Sequence, residues 1–188
     1  MRFHKSLVVL AALATSAGAA FAQPSTIILV RHAEKAAAPA NDPVLTPAGE
    51  QRARDLLTAL ADAHVTAIIT TQLQRTQLTA KPLADSAKIT PMIVTAVADT
   101  KAHAEGVAAK AKSAPAGSVV LIVGHSNTIP AIIAALGGPR VPDICDPEYS
   151  KLFVLELGPS GPPKLVRAKY GVADAPESDA CSRMMRQP

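Results

Sequence analysis

From Thr26 onward the chain alternates between two hydrophobic patterns. Thr26-Ile27-Ile28-Leu29-Val30 is an unbroken, mostly β-branched run, as expected of a strand buried on both faces. From Thr46 the period changes to that of a helix. Ala53, Leu56, Leu57 and Leu60 recur at helical spacing, while Glu50, Arg52, Arg54 and Asp55 are left as a charged face. Thr46 as N-cap and Pro47 at the first helical position mark where this helix starts. The alternation then repeats. Strands are predicted over Thr66–Thr70, Met92–Val97 and Ser118–Val123, and helices over Leu73–Leu83, Lys101–Lys112 and Ile129–Leu136. Leu152–Leu157 and Leu165–Tyr170 flank a glycine- and proline-rich turn and read as a closing hairpin at a sheet edge. Ala36–Pro43 is a loop, and neither an internal repeat nor an interdomain linker is visible. Strands alternating with helices imply an α/β fold, with a mostly parallel central sheet covered on both faces.

Composition narrows the function. A hydrophobic fraction of 48% with 18% charged residues excludes a disordered chain and a coiled coil. Only 3% of residues are aromatic and Trp is absent, so few rings are available to stack nucleic-acid bases.

Residues 1–22 read as a signal peptide. Arg2, His4 and Lys5 form a basic start, Leu7–Ala14 an apolar stretch, and Ala20-Phe21-Ala22 a small-residue cleavage site. Thr15, Ser16 and Gly18 interrupt the apolar run well short of a membrane span. Cleavage would remove Arg2 and Lys5, lowering the formal net charge from +4 to +2 and leaving no basic patch for nucleic acid. The expectation is a periplasmic or secreted protein, with residues 23–188 as one domain, 174–188 as an irregular tail, and no membrane insertion after cleavage. In an oxidising compartment Cys145 and Cys181 are expected to form a disulfide that pins this tail.

In a parallel α/β sheet, ligands bind beyond the carboxyl ends of the strands. There the sequence places Arg31-His32-Ala33-Glu34, then Thr70-Thr71 leading to Arg75-Thr76, then Gly124-His125-Ser126-Asn127. Two arginines and two histidines thus leave three strand tips on one edge. Guanidinium forks suit phosphate oxygens, and imidazole serves as nucleophile, acid or donor. Singly, Arg75 reads equally as a solvated helix charge and His125 as a core histidine satisfied by backbone. Arg31-His32 resists such a reading, because two polar heads at a buried strand end need a purpose. His64 and His103 fall on predicted helices and take structural roles.

Other chemistries fit less well. Gly124-His125-Ser126 imitates a nucleophile elbow, but that fold needs a histidine after the serine, and none follows His125. His32, Glu34 and His125 lack metal-ligand spacing, and no glycine-rich nucleotide loop occurs.

Four blocks, in order, resemble the histidine phosphatase superfamily and, within it, the phosphoglycerate-mutase-like branch. They are Arg31-His32-Ala33-Glu34, Leu45-Thr46-Pro47-Ala48-Gly49-Glu50, Arg75-Thr76 with Thr79-Ala80, and Gly124-His125-Ser126-Asn127. The resemblance implies a three-layer α/β/α sandwich and a metal-independent phosphatase without cofactors, acting on a small phosphorylated substrate. By that pattern His32 is the nucleophile, and Arg31, Arg75 and His125 clamp the phosphate. Glu34 and Ser126 are placed beside the substrate. Ala33 stands where the family usually has glycine. For the acid that protonates the leaving group, Asp99 is the first candidate, although it sits equally well as the N-cap of the Lys101 helix; Glu105 and Glu34 follow. A noncatalytic phosphate- or anion-binding module is the alternative to an enzyme.

Overall fold

The computed structural model of the chain describes residues 26–158, 160–175 and 181. The expected signal peptide and most of the expected tail lie outside the described residues. Six strands form one sheet: β1 (Thr26–Arg31), β2 (Ala67–Thr70), β3 (Met92–Ile93), β4 (Val119–Gly124), β5 (Lys151–Glu156) and β6 (Lys164–Lys169). Four helices complete the fold: α1 (Pro47–Ala59), α2 (Gln74–Ala87), α3 (Thr100–Lys112) and α4 (Thr128–Ala135). The strand order is β3-β2-β4-β1-β5-β6. The first four strands in that order are mutually parallel; β5 runs antiparallel to β1, and β6 runs antiparallel to β5, closing the expected edge hairpin.

The β-branched runs are central for a simple reason: both faces of β1 and β4 are covered. On one face Leu56, Leu60, Ala80 and Leu83 of α1 and α2 pack on Ile28, Val30, Leu121 and Val123. On the other, Val107, Ala108, Ile129 and Ile133 of α3 and α4 pack on Ile27, Leu29, Val120 and Ile122. The result is the three-layer α/β/α sandwich. Burying such side chains contributes roughly 1.5–3 kcal/mol each, which fixes β1 in the middle of the sheet.

Three sequence expectations change. The strand expected over Met92–Val97 contracts to Met92–Ile93, which pairs only with β2 at the sheet edge. His64 lies in the connector after α1 with a positive φ of 50°, not on a helix. Arg52, expected on the solvent face of α1, is only 4% exposed. A helical period cannot reveal that a carboxylate from another segment waits opposite one of its polar positions.

Local signals at the helix starts behave as their chemistry dictates. Thr46 Oγ1 accepts from Gly49 N at 3.1 Å, as an N-cap should. Gly49 itself is required by close approach, since a Cβ there would lie 2.2 Å from the backbone oxygen of Glu34. The first turn of α1 is therefore pressed directly against the segment that follows β1.

Candidate active site

The parallel pairing of β1 with β4 brings Arg31 level with Gly124, and His32 N then donates to Gly124 O at 2.9 Å. Two consecutive strand tips thus carry His32 and His125 side by side. Their rings stand edge to face, with centroids 5.4 Å apart. At Gly124 a Cβ would come within 2.9 Å of Ile129, so the start of α4 can close tightly over the β4 tip. Thr128 Oγ1 fixes the turn by accepting from His125 N at 2.9 Å.

His32 is only 4% exposed, and its Nδ1 lies 2.8 Å from Ala33 O. A carbonyl can only accept, so Nδ1 carries the proton and Nε2 keeps its lone pair. Burial lowers the His32 pKa to about 3; the Ala33 hydrogen bond opposes this, while His125, Arg31 and Arg75 reinforce it. The imidazole is therefore neutral across the physiological range. His125 is lowered to about 4, first by burial and then by Arg75, His103 and Arg31. His125 is thus neutral near pH 7, and its Nε2 stands 3.4 Å from Thr71 Oγ1.

Arg31 is held from behind. Its Nη1 donates to three backbone carbonyls, those of Cys145 at 2.8 Å, Asp146 at 2.9 Å and Glu148 at 3.1 Å. The Tyr149 ring stacks on the guanidinium, 4.2 Å from Cζ to centroid. The loop that supplies these groups is anchored by the Cys145–Cys181 disulfide. It is also anchored by Glu148, whose Oε2 accepts from Cys145 N at 2.9 Å. Nη1 is saturated, yet Nε of Arg31 is buried without a partner in the described residues.

Arg75 enters from the first turn of α2. Thr79 couples it to the nucleophile segment: its hydroxyl donates to Arg75 O at 2.7 Å and accepts from Ala33 N at 2.9 Å. Desolvation lowers the Arg75 pKa, opposed by Asp42, but a guanidinium remains charged in proteins. Nε of Arg75 is likewise buried and unpartnered. An unpaired buried donor costs about 1–3 kcal/mol. Two such donors on cations that both act on His32 make a site that gains by admitting an anion.

Comparisons with known proteins bear on part of this chain's sequence and on its fold. A model of the histidine phosphatase superfamily (branch 1) matches residues 27–97. Over that stretch, somewhat more than a third of the chain, the sequence is similar to the histidine phosphatase superfamily. Solved structures extend the likeness of fold beyond that stretch. A putative phosphohistidine phosphatase SixA from Agrobacterium tumefaciens is similar at 22% identity and TM-score 0.56, over 80% of this chain and 99% of that one. A mycobacterial glucosyl-3-phosphoglycerate phosphatase is similar at 15% identity and TM-score 0.59, over 79% and 100%. YhfR of Bacillus stearothermophilus is similar at 20% identity and TM-score 0.56, over 79% and 95%. Among curated protein sequences there is no significant match.

Within this fold, the remaining expected site residues divide. Arg31, His32, Arg75 and His125 are linked through the contacts above. Ser126 follows His125 at the β4 tip, and its carbonyl accepts from Ile144 N at 3.0 Å. Glu34 is bound to Arg52, whose Nε lies 2.9 and 3.0 Å from the two carboxylate oxygens. Arg52 Nη1 also donates to Tyr170 O and Val172 O, so this pair ties α1 to the end of β6. Asp99 caps α3, accepting from Lys101 N at 2.9 Å and Ala102 N at 3.1 Å. Glu105 pairs with Lys101 on the exposed side of α3. No periodicity or motif signal identifies Tyr149 or Asp42. Tyr149 is 118 positions from Arg31 and reaches it only because β5 pairs beside β1.

Proposed function

We propose that this protein is an exported, metal-independent phosphatase that hydrolyses a small phosphomonoester through a phosphohistidine on His32. One observation carries the reading. A buried, neutral imidazole with its Nδ1 proton committed to Ala33 O leaves Nε2 its lone pair, and two guanidinium groups act on that ring while each keeps a buried Nε unpartnered among the described residues. Nε2 would attack phosphorus in line, and the P–O bond to the leaving group would break. Arg31 and Arg75 would hold the equatorial oxygens, where charge accumulates in phosphoryl transfer. An incoming dianion favours protonation of His125, which then adds a third charged donor. Water would finally displace phosphate from His32.

Export is supported by the sequence pattern of residues 1–22 and by the Cys145–Cys181 disulfide, which suits an oxidising compartment. N-terminal sequencing of protein recovered outside the cytoplasm tests this, and a start at Gln23 is expected.

The decisive assay is hydrolysis of p-nitrophenyl phosphate between pH 4 and 9, with and without EDTA, by the wild type and His32→Ala. EDTA-resistant turnover that disappears in His32→Ala is expected. Turnover that survives His32→Ala, or is lost with EDTA, refutes the phosphohistidine route. The second reading is a phosphate-binding module without turnover. It is favoured by the commitment of Asp99, Glu105 and Glu34 to a cap and two ion pairs. Phosphate binding with no hydrolysis at any pH would establish it.

A further inference from the structure

Each carboxylate that the sequence offers as proton donor to the leaving group is engaged elsewhere, yet an alkoxide leaves slowly unless it is protonated. Tyr149 is placed to supply that proton. Its ring centroid lies 6.3 Å from that of His32, and the same ring stacks on Arg31 at 4.2 Å. Its hydroxyl is 3.5 Å from Arg31 Nη2, and the residue is only partly buried. Tyr149 also lines a hollow of about 440 Å³, together with Glu34, Gln51, Asp55 and Asp174. It therefore belongs both to the phosphate clamp and to the space beside it.

Resting on the phosphatase reading, we infer that the Tyr149 hydroxyl is the general acid of this site and that the adjoining hollow receives the leaving group. As His32 Nε2 bonds to phosphorus and the P–O bond breaks, the phenol proton passes to the departing oxygen, which leaves as a neutral alcohol. The resulting phenolate lies against the Arg31 guanidinium, which offsets its charge. Water then attacks the phosphohistidine. Its proton returns to the phenolate, the P–N bond breaks, and phosphate is released with both side chains restored. The hollow has its own character. Arg52 is saturated by Glu34, Tyr170 O and Val172 O, which leaves Asp55 and Asp174 as the carboxylates not paired with a cation across that wall. A neutral, hydroxylated leaving group fits such a wall better than an acidic one.

The test compares wild type and Tyr149→Phe on a series of aryl phosphates from p-nitrophenyl to p-methoxyphenyl, with inhibition by inorganic phosphate measured in parallel. The substitution keeps the ring on Arg31, so phosphate inhibition reports the clamp separately from proton donation. General acid catalysis is worth about 10²–10⁴-fold. The expected result is a loss in kcat that grows toward about a hundredfold as the leaving group becomes more basic, giving a steeper leaving-group dependence in the variant. A loss equal for every member of the series, or none, overturns the role of Tyr149 while leaving the phosphatase reading intact. A wild type inactive on p-nitrophenyl phosphate overturns the phosphatase reading itself.

Discussion

Acidification should destabilise this protein through its two site histidines. Unfolded imidazoles take up protons below about pH 6.5. In the folded chain His32 does so only near 3 and His125 only near 4, chiefly because both are desolvated. Between those limits the unfolded state binds more protons than the native state, so stability falls as the pH falls. From pH 7 to pH 5 each unfolded histidine goes from largely neutral to almost fully charged while its folded counterpart stays neutral. Linkage then gives a loss of about 2 kcal/mol per histidine, or about 4 kcal/mol for the pair. The assay is urea denaturation at pH 7, 6 and 5 for wild type, His32→Asn and His125→Asn. Each variant carries its own constant offset, so the quantity to compare is the change in unfolding free energy with pH. Removing either histidine should halve the wild-type decline. A decline of the same size in all three proteins would show that neither imidazole is held neutral, and the account of His32 as a ready nucleophile would fail with it.

Other consequences follow from the same geometry. Because free His32 titrates near 3, the acid limb of kcat/KM should lie below pH 5 and not near 6.5; a limb at 6.5 that moves with the substrate's phosphate ionisation only would point away from His32. Arg52→Leu leaves the half-buried Glu34 and the Tyr170 and Val172 carbonyls without their partner and should cost about 1–3 kcal/mol, against less than about 0.5 kcal/mol for the neighbouring exposed Arg54→Ala. Comparable Tm values for the two variants would contradict the burial of Arg52. Gly49→Ala should cost more than about 1 kcal/mol and lower phosphate affinity as well, since its methyl group meets the backbone of the segment carrying His32. Asp99→Ala should lose about 1 kcal/mol of stability and Asp99→Asn should recover most of it, as thermal melts of the pair would show.

The architecture was legible because its signals are local or periodic. A β-branched run such as Ile27–Val30 can be satisfied only by cover on both faces, and Thr46-Pro47 announces a helix start wherever the chain goes next. Arg31, His32 and His125 were legible for a related reason, since polar heads directly after buried strands must sit at strand tips. The two-residue β3 shows where that logic weakens: an edge segment has one partner strand, so its apolar pattern does not determine how long it stays paired.

What the sequence determined by itself was the α/β alternation, the helix starts and the chemistry at three strand ends. What only the tertiary structure decided was which charges meet. Arg52 looks like a surface residue until Glu34, 18 positions earlier, is folded against it. Tyr149 carries no signal until an antiparallel β5 sets its ring on Arg31. Asp99 read equally well as acid and as cap until the first turn of α3 placed two N–H groups on its carboxylate. Periodicity reports which face of an element is apolar. Pairing between polar groups depends on distances across the fold, and strand order and register, not sequence spacing, set those distances.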